Sequence, residues 1–123
     1  DTPARPEQSE IESLANGCDL LILPTTPDPL SLSALAQIAR SLPEGTNYRI
    51  LLTMVPPPPQ KDGEQALEAL KRNGFPVFSR TVRRYKAYIK ASDLGVPVHQ
   101  APGGNTAWRD WKELSKELKD AIR

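Results

Sequence analysis

Leu20-Leu-Ile-Leu23 is an unbroken apolar run, preceded by Asp19 and closed by Pro24-Thr-Thr-Pro27. A run this short, ended by a proline and two β-branched residues, predicts a strand rather than a helix. It contains no alternating polar positions, so the strand is expected to be buried on both faces. Such strands belong to parallel sheets covered by helices. Ligands in these sheets sit beyond the carboxyl ends of the strands. The first place to look for chemistry is therefore Thr25-Thr-Pro-Asp28.

The rest of the chain repeats the pattern. Asp1 to Pro6 holds two prolines and reads as a loop leaving an earlier strand. Glu7 to Asn16 places Ile11, Leu14 and Ala15 at helical spacing, with Gly17 as the stop. Ser31 to Leu42 predicts a second helix, its apolar stripe running through Leu35, Ile38 and Ala39 to Pro43. Tyr48 to Val55 is the second long strand, leading into Pro56–Pro59, a stiff arm without backbone donors. Asp62 with Gln65 resembles a capping box that opens a third helix, closed by Asn73-Gly74. Pro76–Ser79 predicts a short strand. Val82, Tyr85, Tyr88 or Ile89, and Leu94 then give a helical stripe up to Gly95, and Pro97–Gln100 reads as extended. Asn105 or Thr106 is expected to cap a last helix carrying Trp108, Trp111, Leu114, Leu118 and Ile122. Strand and helix alternate with no hairpin signal between them, which predicts an α/β fold around a parallel sheet.

At 123 residues, 38% apolar and 25% charged, the chain suits one soluble domain with one modest core. No apolar run approaches the roughly 18–20 residues of a membrane span. The first ten residues are polar and acidic, unlike a signal peptide. The chain opens at Asp1 without a methionine, which reads as part of something longer. One cysteine cannot form an internal disulfide, which is compatible with a cytosolic setting. Cys18 is expected to pack beside the first strand, and with a lone His99 it does not compose a metal site. The charge is unevenly spread: residues 1–70 hold four basic and ten acidic side chains, residues 71–123 twelve and five. A basic half raises the question of a polyanionic partner.

Catalytic constellations are sparse. There is no nucleophile elbow, no Cys/His pair and no glycine-rich dinucleotide fingerprint. Gly103-Gly104-Asn105-Thr106 lacks the lysine of a Walker A loop and reads as a helix entry.

The ordered series of short motifs says more. Asp1-Thr-Pro-Ala4 resembles the Asp-x-Pro-Pro/Ala turn of the ParA/MinD family of deviant Walker partition ATPases. Gly17-Cys-Asp-Leu-Leu-Ile-Leu-Pro24 is similar to that family's next strand, and Ile50-Leu-Leu-Thr-Met54 to the strand that reaches the adenine. Val77-Phe-Ser-Arg-Thr-Val-Arg83 and Gly95-Val-Pro97 resemble two later segments in the same order. The departures are local. The phosphate loop would lie upstream of Asp1, Pro57–Pro59 replace the usual Asp-x-Arg, and Ala101-Pro-Gly-Gly104 lacks the family's arginine.

The resemblance implies a P-loop NTPase-like parallel sheet with flanking helices, of which residues 1–123 form the C-terminal part. It implies an Mg-dependent, cytoplasmic, nucleoid-associated ATPase of ParA type that dimerises around ATP, binds nonspecific DNA and positions a cargo through a ParB-like adaptor. The cargo would be a plasmid, a chromosome or a protein body such as a carboxysome. The fragment alone, without its P-loop, is expected to be inactive. A non-catalytic interaction module of the same fold and a membrane-associated MinD-like ATPase are the alternatives. Asp1 would hold Mg²⁺ through water. Thr53, Met54, Pro56 and Pro102 are adenine-pocket candidates, since apolar surfaces with a few fixed polar groups suit a purine. Lys61, following the proline arm, is a second catalytic candidate able to offset charge on phosphate; base rates favour a solvated helix-entry lysine.

Arg80, Arg83, Arg84, Lys86 and Lys90 put five cations and no acid into eleven residues. With Val82, Tyr85 and Tyr88 turned inward, the cations are expected to point outward as a phosphate-binding, salt-sensitive DNA site. Lys112, Lys116 and Lys119 are spaced instead for ion pairs within the last helix. Trp108 and Trp111 are expected to cover the sheet edge.

Overall fold

In the computed structural model, which describes residues 7–122, the apolar run forms strand β1 (Leu21–Thr25). It pairs in parallel with β2 (Tyr48–Leu52), Leu23 opposite Ile50 and Thr25 opposite Leu52. Between them runs helix α2 (Pro29–Ser41), which starts on Asp28 as N-cap. Helix α1 (Gln8–Gly17) precedes β1, and Gln8 reaches across to donate to the Ser41 carbonyl at 3.0 Å. After β2 the proline arm, with a cis bond between Pro58 and Pro59, leads into α3 (Asp62–Arg72). The short α4 (Lys86–Leu94), a 3-10 turn over Val98–Gln100 and the long α5 (Gly104–Ala121) complete the described chain.

A third extended segment runs beside β2 without becoming a regular strand. Phe78 N–H donates to the Ile50 carbonyl at 2.9 Å, and Val82 N–H donates to that of Leu52 at 2.9 Å. Val55 then bridges Arg83 in parallel, with the Arg84 N–H reaching the Val55 carbonyl at 2.8 Å. Between those contacts β2 has one residue and this segment three, Ser79, Arg80 and Thr81, so two are extra and the segment bulges out of the ladder, as strands with inserted residues do. The sheet is thus parallel throughout, and helices cover it on both sides.

Leu35 of α2 and Ala66 and Leu70 of α3 pack on Ile50, Leu52 and Val55 at one face. Leu114 of α5 packs on Leu51, Phe78 and Val82 at the other, with Tyr88 of α4 beside them. Phe78, Ile50 and Leu52 are the largest side chains with no meaningful exposure.

Four sequence expectations need correction. β1 is an edge strand among the described residues, and Ile22 remains 38% exposed on the α5 side instead of being buried on both faces. The helical stripe from Val82 does not form, because the Val82 and Arg84 N–H groups donate to the carbonyls of Leu52 at the end of β2 and of Val55 just beyond it; the helix begins at Lys86. Lys61, not Asp62, is the N-cap of α3, and its side chain makes no capping bond. The last helix is entered at Gly103, whose φ of 74° is the left-handed conformation glycine tolerates, rather than from Asn105 or Thr106. Two smaller differences accompany these: Cys18 is exposed, and Val98–Gln100 is a 3-10 turn.

Candidate functional site

The carboxyl ends of β1 and β2 meet where the Thr53 N–H donates to the Thr25 carbonyl at 2.8 Å. Around this point Thr25, Thr26, Ser31 and Thr53 line a cavity of about 370 Å³ with Pro24 and Leu35. Asp28 holds two of its lining residues, Thr26 and Ser31. It accepts from the Ser31 N–H at 2.9 Å and from the Thr26 hydroxyl, which also contacts the Ser31 hydroxyl at 2.9 Å. The Thr26 hydroxyl, followed by the Ser31 amide and hydroxyl, stabilises the carboxylate and lowers the Asp28 pKa from 3.8 to about 2.

Asp28 therefore adds stability that is complete above pH 3.8 and disappears as the pH falls toward about 2. The Asp28 carboxyl should titrate near 2 when followed by carbon NMR. Asp28→Ala should lower the thermal midpoint at neutral pH, as N-cap loss does. That difference should shrink below pH 3.8; a constant difference across the range would count against the cap.

On the α5 side of the β2 tip lies a larger cavity, about 420 Å³, lined almost wholly by apolar surface. Thr53 and Met54 form one wall and Tyr85, Tyr88, Ile89 and Trp111 the others. The Trp111 Nε1–H donates to the Tyr88 hydroxyl at 2.8 Å, so one polar atom of each ring is already partnered. Burial raises the Tyr88 and Tyr85 phenol pKa values above the usual 10. Met54 has a φ of 51°, rare for a residue with a side chain, and is 59% exposed.

The adenine candidates are not gathered into one pocket. Thr53 and Met54 share the apolar cavity, Pro56 lines a separate one of about 240 Å³ with Pro58 and Leu67, and Pro102 is exposed in the turn before α5. Lys61 is exposed at the start of α3. Asp1, the candidate magnesium carboxylate, lies outside the described residues.

The basic segment divides into two groups. Arg83 donates to Asp110 of α5 through Nη2 at 2.8 Å and Nε at 3.3 Å, and Asp110 is only 7% exposed. Asp110 holds the guanidinium pKa above its ordinary value. Arg80 lies 3.7 Å from Glu113. The expectation that the cations point outward is corrected for Arg83, which turns to Asp110; Arg80 stays exposed beside Glu113. Arg84, Lys86 and Lys90 make no ion pair among the described residues and are exposed.

The α5 acids were expected to pair along their own helix. Only Lys116–Glu113 does so, at 3.3 Å, among the described residues. Sequence reasoning singled out Thr25–Asp28 but missed that Thr53 joins it, and it missed the Tyr88–Trp111 contact. Both bring together residues far apart in the chain. Trp111 does cover sheet surface, lining a hollow with Ile22, Leu51 and Phe78, whereas Trp108 stacks 4.8 Å from the His99 ring.

No protein-family model matches the chain. The "Maintenance of carboxysome distribution protein A" of Gloeobacter kilaueensis is 34% identical over 122 residues, 96% of this chain. The similarity supports a ParA-like relationship. The chain spans 56% of that relative's length. The α/β architecture with a parallel sheet and flanking helices is compatible with that relationship. No helix among the described residues is long and apolar enough to cross a membrane.

Proposed function

We propose that this chain is the C-terminal part of a ParA-like ATPase that positions a cargo, of which a protein body such as a carboxysome is the favoured case. The observation that carries the reading is the 34% identity running through nearly the whole chain to a carboxysome distribution protein. Parallel strands whose tips carry an apolar cavity beside hydroxyl groups support it, because ligands of such sheets bind at that edge.

The fit to ATP and Mg²⁺ is partial. The ring faces and aliphatic walls around Thr53 and Met54 suit a planar base, and Pro56 and Pro102 stand apart from it. Asp1 would hold Mg²⁺ through water, and the ion would neutralise charge on the phosphates. Lys61 remains a proposed phosphate contact at the proline arm, its own or across a dimer. Nonspecific DNA would lie along Arg84, Lys86 and Lys90, with Arg80 and Arg83 behind them. Two subunits closed around nucleotide would present two such patches together, which multiplies affinity without new contacts. An adaptor protein would link the cargo, in cytoplasm and over the nucleoid.

The test is hydrolysis and DNA retention by the full-length protein. Mg-dependent ATP turnover is expected, lost in Asp1→Ala, together with gel-shift binding of unrelated DNA duplexes that tightens with ATP and weakens steeply with salt. Turnover unaffected by Asp1→Ala would remove the magnesium role. DNA binding indifferent to ATP would favour the non-catalytic module, and sedimentation with liposomes the MinD-like reading.

A further inference from the structure

The bulged segment after Phe78 leaves backbone donors with no strand to receive them, and α5 supplies carboxylates at those places. The Ser79 N–H donates to Glu117 Oε1 at 2.6 Å and the Arg80 N–H to Glu117 Oε2 at 3.0 Å. The Arg83 N–H points the other way from its neighbours Val82 and Arg84, which donate to Leu52 and Val55, and reaches Asp110 Oδ2 at 3.0 Å. Asp110, Glu113 and Glu117 are spaced by three and four residues and so share one face of the helix. Charge-assisted bonds of this kind are the stronger ones, and they hold the bulge's donors on fixed partners in place of water.

The same carboxylates take the side chains. Asp110 holds Arg83 by two nitrogens, Glu113 faces Arg80, and Glu117 lies 3.9 Å from Arg49. A guanidinium already matched to a carboxylate releases no counterion when a phosphate approaches, so it adds little to the salt dependence of binding.

We propose that Asp110 and Glu117 are positioning residues that stand in for a missing strand along the 79–83 bulge, and that the α5 acids thereby withdraw Arg80 and Arg83 from the polyanion, leaving Arg84, Lys86 and Lys90 to meet it. The second half rests on the DNA-binding reading above. The first half does not. Arg80 is the reversible member, because its contact with Glu113 is long and largely exposed.

Two measurements on the full-length protein separate the halves. Binding to a mixed-sequence DNA duplex is followed across a salt series. Arg84→Ala and Lys90→Ala should each flatten the log–log slope by about 0.9, the loss of one phosphate contact. Arg80→Ala should leave the slope unchanged; Glu113→Gln should steepen it by about 0.9 by freeing Arg80, and should do so equally in a Lys116→Ala background, since Glu113 also lies 3.3 Å from Lys116. Glu44→Gln makes the same charge change in the turn after α2 and should not alter the slope. An Arg80→Ala effect equal to that of Arg84→Ala, or a Glu113→Gln effect equal to that of Glu44→Gln, overturns the assignment of cations.

Amide hydrogen exchange judges the positioning role without DNA. Glu117→Gln should speed exchange at Ser79 and Arg80 by on the order of tenfold or more, while the β2 amides keep their protection. Unchanged exchange at Ser79 and Arg80 overturns it. If the wild type retains no DNA even at low salt, the polyanion reading falls with its cation set, and the exchange result alone decides whether α5 holds the bulge.

Discussion

Gly104→Ala is expected to cost about 3 kcal/mol, the upper end for forcing a side chain into packed space. A methyl group there would lie 1.7 Å from the Val98 carbonyl oxygen and 2.8 Å from its carbon. Both are backbone atoms, so no rotamer change relieves the overlap. Either the 3-10 turn must move or α5 must start elsewhere, and its first intact contact, the Gly104 N–H to the Ala101 carbonyl at 2.9 Å, goes with it. Because α5 carries Asp110, Glu113 and Glu117, a displaced start also loosens the bulged loop. Urea titration should show the loss as a lower midpoint with unchanged slope. Asn105→Ala, one residue further on and exposed, should stay within about 0.5 kcal/mol of the parent. Equal midpoints for Gly104→Ala and the parent would mean the turn does not pack on the helix start.

Phe78→Ala is the second large effect, at about 3–5 kcal/mol. Phe78 is wholly buried between the sheet and α5, against Leu51, Val82 and Leu114. The Arg49 guanidinium lies 5.7 Å from its ring centroid, so the substitution also removes a cation–π contact. Phe78 is the last regular ladder position before the bulge. A cavity there should therefore raise exchange at Ser79 and Arg80 as well as lowering the urea midpoint. Phe78→Leu, which keeps most of the volume, should recover more than half of the loss. A Phe78→Leu variant as unstable as Phe78→Ala would show that ring geometry, not filled space, is what the site requires.

Leu20–Leu23 and Ile50–Leu52 announce their strands through apolar runs too short for helices, and the helices between and after them follow from stripes at helical spacing. Those signals are local, which is why the parallel α/β frame and the carboxyl edge of its two strands can be read without coordinates. The element that misleads is 79–85. Its apolar residues fit helical spacing, but the Leu52 and Val55 carbonyls offer Val82 and Arg84 better partners than a helix would. Propensity lost there to a tertiary ladder.

The same contest explains the site. The charge run from Arg80 to Lys90 is visible as composition, and the ordered likeness to ParA-type motifs is visible as a series. Neither tells Arg83, held by a carboxylate twenty-seven residues away, from Arg84, its exposed neighbour. Apolar periodicity by itself determined the two long strands and most of the helices, because an apolar run or stripe at fixed spacing reports burial wherever no tertiary partner competes. Only the packing of α5 against the broken third segment decided which cations are spent on structure, because an ion pair depends on the distance between side chains and not on their separation along the chain.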